Sequence, residues 1–343
     1  MKSENMAAVD QETGLIQVYS SPSGKMNFAP FGLALRASGY GLRTLITRFV
    51  HHELERGEKR AVATLAPNLV IDTSALKGPA DSAMVEDGIK EAFQKAEHAA
   101  VSGAYDLVVL DGVLEAVSKG AVSVREVVGL MQGKAAHVEL LLTGPGASDE
   151  IMAEAHLVTE MEVQTVAGDA HQSPVEVVTG RGKGKTTYCL GKALLMSSMG
   201  VRSFILQVIK SPKPYGEVMA IENLPGMEIQ SMGKGLVDKE NPDGDQRHRE
   251  AAREAWEQAK EIVLSSRYGL VVLDEINIAV NYGFIHPDEL LNLLSRKPKG
   301  LHLMLSGRYA KSQVMAQATD VMEMKEIIHP FKNGVGARRG IEY

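Results

Sequence analysis

The chain has 343 residues, enough for about two domains of ordinary size. Its 37 Lys and Arg against 43 Asp and Glu give a formal charge of −6, which excludes a strongly basic nucleic-acid footprint, and 44% hydrophobic residues exclude wholesale disorder. A single cysteine, Cys189, excludes an internal disulfide and a Cys/His metal cluster, and points to a reduced, cytoplasmic setting.

In chain order, Met1 to Thr13 is polar, mixed in charge and without the apolar core of a signal peptide. No apolar run approaches the roughly 18 residues that a membrane span needs. Leu15–Tyr19 is a short apolar run that enters a turn at Ser20–Asn27; a helix-like stretch and a second run, Leu42–Val50, follow. Tyr105–Val117 reads YDLVVLDGVLEAV, and an LLLTG segment ends at Gly144. Thr165 to Pro174, containing Gly168 and Ser173, reads as a linker.

The same order then recurs. Val175–Thr179 enters a Gly-rich turn and a helix, followed by the run Val201–Ile209 and a helix over Asp245–Leu264. Tyr268–Val280 reads YGLVVLDEINIAV, which is Tyr105–Val117 with eight of 13 positions unchanged. Leu301–Leu305 leads into Ser306-Gly307-Arg308 as LLLTG leads into its own turn. The chain is therefore a tandem duplication, with domains over 14–164 and 175–343 joined by 165–174. Short, wholly apolar strands alternating with helices predict an α/β fold: two P-loop NTPase-like domains with mostly parallel sheets flanked by helices. Loops at the strand carboxyl ends are where chemistry belongs.

The second copy carries such a loop, Thr179-Gly180-Arg181-Gly182-Lys183-Gly184-Lys185-Thr186-Thr187, between a strand and a helix. Its glycines let backbone N–H groups wrap an anion at a helix N-terminus. Lys185 supplies a charge to phosphates, and the Thr186 hydroxyl can ligate Mg2+. The first position is Thr179 where the common pattern has Gly. Asp274-Glu275, at the end of the strand Leu270–Leu273, is placed to hold Mg2+, and Arg308 offers a planar fork to phosphate. Cys189, on the helix after the loop, reads as a buried small apolar residue.

These residues, with Asn277, Leu305-Ser306-Gly307-Arg308, His329-Pro330-Phe331 and the terminal Gly340-Ile341-Glu342-Tyr343, resemble the P-loop type of ATP:corrinoid adenosyltransferase across Val175–Tyr343. The resemblance implies that the loop, Gly180 to Thr187, binds ATP in reversed direction and exposes the ribose C5′. Cobalt(I) of a reduced corrinoid then attacks C5′ and triphosphate leaves, in cobalamin biosynthesis or salvage. Lys185, Glu275 and Arg308 are the implied catalytic groups, with Lys183 assisting and with Mg2+ on Thr186, Asp274 and Glu275. ATP, Mg2+ and a corrinoid are the implied small molecules, and an electron donor such as a flavoprotein reductase the implied partner; neither nucleic acid nor a membrane is expected. One departure stands out: where the family has Phe and, two residues later, Trp, this chain has Leu236 and Asp238. Those aromatics are associated with removing the lower axial ligand of cobalt(II). Tyr215 is one candidate to replace them.

The first copy reads as degenerate. Its loop contains Pro22, which lacks an N–H, and Met26 stands in place of the Thr186 hydroxyl. Glu275 is matched by Gly112 and Arg308 by Pro145; Lys25 and Asp111 survive. A kept fold without catalysis follows, serving as a pseudo-dimer partner that walls the corrinoid site, as a regulator, or as a relic; a homodimer is also open. Two other readings use the same residues: a P-loop ATPase or kinase in which Glu275 activates an acceptor, and a non-enzymatic ATP or corrinoid sensor.

Overall fold

The computed structural model describes residues 13–24, 26–51, 55–76, 83–165, 174–235, 242–328 and 338–342. The first half runs β1 (Ile16–Ser20), α1 (Ala29–Gly39), β2 (Thr44–Arg48), α2 (Glu55–Leu65), β3 (Leu69–Asp72) and α3 (Ala83–Ser102). It continues with β4 (Leu107–Asp111), α4 (Val113–Ser118), α5 (Val124–Gly133), β5 (Glu139–Gly144), α6 (Asp149–Glu154) and β6 (Leu157–Thr165). The second half repeats this as β7 (Val175–Thr179), α7 (Lys185–Ser198), β8 (Ser203–Gln207), α8 (Gly216–Ile221), β9 (Met227–Ser231) and α9 (Pro242–Leu264). It closes with β10 (Leu270–Asp274), α10 (Ile276–Asn281), α11 (Pro287–Arg296), β11 (His302–Ser306), α12 (Ser312–Met315) and β12 (Asp320–Ile328).

The twelve strands among the described residues lie in one sheet, ordered β3-β2-β4-β5-β1-β6-β12-β7-β11-β10-β8-β9. The order is symmetric about its middle, so the halves are related by a pseudo-two-fold axis at the β6–β12 seam. Neighbours within each half are parallel, as are β12 and β7, while β6 and β12 pair antiparallel. The apolar runs of the sequence account for β1, β2, β4 and β5 and their counterparts. The seam strands are the addition. Both alternate apolar and charged residues, as in Met322-Glu323-Met324-Lys325, and β6 extends through Thr165, into the stretch read as a linker.

The antiparallel seam has a geometric consequence. Strand carboxyl ends of the two halves lie at opposite edges of the sheet, so each half presents its strand starts at the edge where the other presents its loops. Helices that run back along the sheet therefore end beside the other half's loops.

Successive strand residues face opposite layers. Val109, Leu141, Val178, Val272 and Met304 join α1, α2, α7 and α8 in one apolar core that spans both halves. The opposite faces are covered separately, by α3 to α6 over the first half and by α9 to α12 over the second. Within the shared layer α1 and α7 cross in backbone contact. A Cβ on Gly32 would lie 1.8 Å from the carbonyl oxygen of Thr187, and one on Gly191 would lie 1.9 Å from that of Phe28. Only glycine permits this approach, which fixes α1 against the start of α7.

Candidate active site

Strand β7 brings Thr179 to the carboxyl edge and α7 begins at Lys185, so residues 180–184 form the expected loop. The Lys185 ammonium donates to the carbonyls of Gly180 (2.9 Å) and Gly182 (2.7 Å). Burial lowers its pKa to about 8, against the opposing pull of the Glu275 carboxylate. Thr179 supplies a hydroxyl that accepts from the Ala310 N–H at 3.3 Å, tying the turn after β11 to the loop.

Asp274 is fully buried and accepts from the Thr186 hydroxyl (2.8 Å) and the Ser306 hydroxyl (2.6 Å) through Oδ1. Its Oδ2 lies 3.4 Å from Gln207 Nε2. Glu275 follows with φ +63°, a left-handed conformation that costs a non-glycine residue about 1 to 2 kcal/mol. Its N–H donates to Ser306 Oγ at 2.9 Å. Burial, and then the charge of Asp274, raises the Glu275 pKa to about 7. Glu275 Oε2 is buried with no hydrogen-bond partner among the described residues. Asn277 donates to the carbonyls of Leu305 (3.1 Å) and Gly307 (3.4 Å), holding the ends of β10 and β11 together.

A cavity of about 420 Å³ opens over these groups. Its lining holds the cations Lys183, Lys185 and Arg308 together with the apolar and aromatic side chains of Ile209, Ile278, Tyr282 and Tyr309. Arg308 makes no hydrogen bond or ion pair with the described residues. Lys183 pairs with Glu342 of the C-terminal tail at 3.3 Å. The first half also contributes to the lining, through Gln17, Tyr19, Leu33 and Arg36.

A hard cation fits this donor set: a hydroxyl, the buried Asp274 carboxylate, and the Glu275 carboxylate, one oxygen of which has no donor among the described residues. Among the described residues no cluster of three or more His, Cys, Asp or Glu exists, so further ligands would come from substrate oxygens.

The structure thus brings Lys183, Lys185, Thr186, Asp274, Glu275 and Arg308 to one place. Gly180, Gly182, Gly184 and Thr187 frame it. Arg181 is exposed and outside the cavity lining. Cys189 is buried, and burial pushes its thiol pKa well up. Lys25, Leu236, Asp238, His329-Pro330-Phe331 and Tyr343 lie outside the described residues. Tyr215 caps α8 beneath Lys210, 5.2 Å from ring centre to ammonium, and is not in the cavity lining. Sequence reading missed Arg36, Gln207, Lys210 and Glu217. One signal was present: Gly57-Glu58 and Gly216-Glu217 are the same dipeptide at matching places in the two copies.

A family model described as ATP:corrinoid adenosyltransferase BtuR/CobO/CobP matches the chain twice, over residues 12–170 and 171–343. The chain belongs to this family. Corrinoid adenosyltransferases of Sinorhizobium sp. and Escherichia coli (strain K12) are 37% and 33% identical over 49% of this chain, covering 78% and 84% of their own lengths. An uncharacterized protein of Nostoc sp. (strain PCC 7120) is 29% identical over 96% of this chain and 95% of its own, so that similarity spans both halves. Among solved structures, a KaiC-like protein from Pyrococcus horikoshii OT3 matches at 13% identity and a TM-score of 0.32, over 45% of this chain and 75% of its own. As a corrinoid adenosyltransferase the protein takes ATP and a corrinoid as substrates. No helix of this adenosyltransferase, among the described residues, is long and apolar enough to cross a membrane.

Proposed function

We propose that residues 175–343 transfer the 5′-deoxyadenosyl group of ATP to cobalt(I) of a reduced corrinoid, and that residues 14–164 carry no catalysis of their own. A cobalt–carbon bond forms, the C5′–oxygen bond breaks, and its electron pair leaves with triphosphate. The observation that carries this reading is one cavity lined both by cations, Lys183 and Lys185 of the phosphate loop among them, and by apolar and aromatic side chains. The cations suit a departing polyanion and the apolar and aromatic groups a bulky, flat substrate. The nucleophile belongs to the substrate, so the protein's part is position and charge.

In this reading the Lys185 ammonium leaves the Gly180 and Gly182 carbonyls for phosphate oxygens, and Lys183 leaves Glu342 for the same anion. Arg308, without an ion-pair partner among the described residues, adds a bidentate donor. Thr186, Asp274 and Glu275 would hold Mg2+, which when bound screens the charge of the departing triphosphate. An electron donor, such as a flavoprotein reductase, would deliver the corrinoid as cobalt(I), in the cytoplasm, for cobalamin biosynthesis or salvage.

An anaerobic assay tests this directly. With pre-reduced corrinoid and Mg2+-ATP the expected products are adenosylcorrinoid, followed by its absorbance, and triphosphate in equal amount. ADP and phosphate instead would identify an ATPase or kinase. Tight binding of both substrates without turnover would identify a sensor.

A further inference from the structure

We infer that the first half completes the second half's site through Arg36, a positioning residue that holds α8 and the C-terminal tail against the phosphate loop. The inference rests on reading that loop as the ATP site.

Arg36 lies near the end of α1, one turn beyond Leu33, and both face the cavity. It reaches this place because the antiparallel seam sets the end of α1 beside the loops of the second half, and the Gly32–Gly191 crossing holds it there. Arg36 is 3% exposed, and the hydrogen bonds its guanidinium makes among the described residues all go to the other half. Nε donates to Glu217 at 2.8 Å, and Nη1 to the Ile341 carbonyl at 2.7 Å and, more weakly, to the Thr187 hydroxyl at 3.4 Å. Thr187 belongs to the phosphate loop, and Ile341 precedes the Glu342 that pairs with Lys183.

Glu217 relays this hold. Its side chain has no solvent exposure, and its Oε1 accepts from Lys210 (2.7 Å) and from Gln207 (3.2 Å). Lys210 borders the cavity, and Gln207 reaches Asp274. Arg36 therefore touches, at one remove, the loop, the tail, a cavity cation and the acidic strand end. A second strap supports the tail: Arg338 makes a bidentate pair with Glu139 of the first half at 2.6 and 2.9 Å.

The mirror position supplies the contrast. The alignment that equates Gly32 with Gly191 and Glu58 with Glu217 equates Arg36 with Leu195. Leu195 is buried in the shared apolar core. At the first half's own edge, Glu58 is paired instead by Arg48 of its own strand β2. The cation that crosses between halves is thus kept where the phosphate loop is intact and replaced by leucine where the loop is degraded.

The test compares the full-length wild type with Arg36→Leu, Arg36→Lys and the double variant Arg36→Leu with Glu217→Gln. Mg2+-ATP affinity is measured by calorimetry without corrinoid, alongside the melting temperature. Arg36→Leu should weaken ATP binding by about tenfold or more, the usual scale for lost hydrogen bonds to a charged group. Arg36→Lys keeps the charge beside Glu217 but cannot span Ile341 and Thr187 together, so it should melt near wild type yet bind ATP weakly. The double variant removes the buried carboxylate charge and should regain melting temperature without regaining affinity. Recovery of both, or wild-type affinity in Arg36→Lys, would show that Arg36 only neutralises Glu217 and would overturn the inference. Because binding is read without corrinoid, a wild type that binds ATP but forms no cobalt–carbon bond would count against the proposed reaction alone.

Discussion

The ends of β4 and β10 are the same structure with opposite electrostatics. Asp111 accepts from the Thr143 hydroxyl at 2.7 Å, and Asp274 from the Ser306 hydroxyl at 2.6 Å. In both, the next residue donates its N–H to that hydroxyl at 2.9 Å and is left-handed: Gly112 at φ +87° and Glu275 at φ +63°. The difference lies one strand away. Where β8 ends in neutral Gln207, β2 ends in Arg48, whose Nε lies 3.2 Å from Asp111 and whose other end pairs with Glu58. In the first half a fully buried ion-pair cluster fills the place where the second keeps carboxylates available to a cation. The backbone strain that Glu275 bears is absent at Gly112, where glycine takes a positive φ freely. The same fold can therefore carry a buried cation at one strand end and a neutral amide at its counterpart.

Breaking that cluster should give the largest effect. Arg48→Gln, which copies the second half, takes the guanidinium away from two buried carboxylates and should cost about 3 to 5 kcal/mol of stability, measured by denaturant unfolding. A loss below about 1 kcal/mol would show that the first half does not depend on the pair. Next comes Lys185→Ala, expected to lower adenosylation more than about a hundredfold because the triphosphate loses its nearest fixed cation. Near-normal turnover would remove the loop from the mechanism.

The comparison sharpens with pH. Glu275, raised to about 7 from an ordinary 4.5, holds its proton more tightly folded than unfolded, so its contribution to stability is lost as pH rises from about 4.5 to about 7. Mg2+ needs the ionised form. Mg2+-dependent ATP affinity should therefore strengthen between pH 6 and pH 8. Glu275→Gln should flatten that slope, lower turnover about tenfold, and raise the melting temperature at pH 8. A slope unchanged in the variant assigns the titration elsewhere. The smallest effect belongs to Lys25→Ala, with turnover expected within a few-fold of wild type and one ATP bound per chain. Two ATP per chain, falling to one in the variant, would restore a working site to the first half.

A separate substitution probes the departure at Leu236 and Asp238. Leu236→Phe with Asp238→Trp should raise the rate from cobalt(II) plus a mild reductant and leave the rate from pre-formed cobalt(I) little changed. Paramagnetic resonance checks it: an abundant four-coordinate cobalt(II) signal in the unmodified protein would mean that other residues already displace the lower ligand.

What the sequence determined by itself is everything with a local signature. The apolar runs specify the central strands, because a parallel strand buried on both faces admits few polar residues. The loop from Thr179 to Thr187 and the Asp274-Glu275 pair are legible because each is contiguous and sits at a strand end. The duplication is legible because both copies kept their buried strands. The tertiary structure alone decided how the copies meet. Pairing β6 against β12 in the antiparallel sense carries the end of α1 to the far half's loops, and parallel pairing would have carried it to the opposite edge. Arg36 meets Glu217 across 181 positions of sequence, and Arg338 meets Glu139 across 199. Neither contact has a periodic or spacing signature, since each depends on the direction of one strand pair that both partners lie outside.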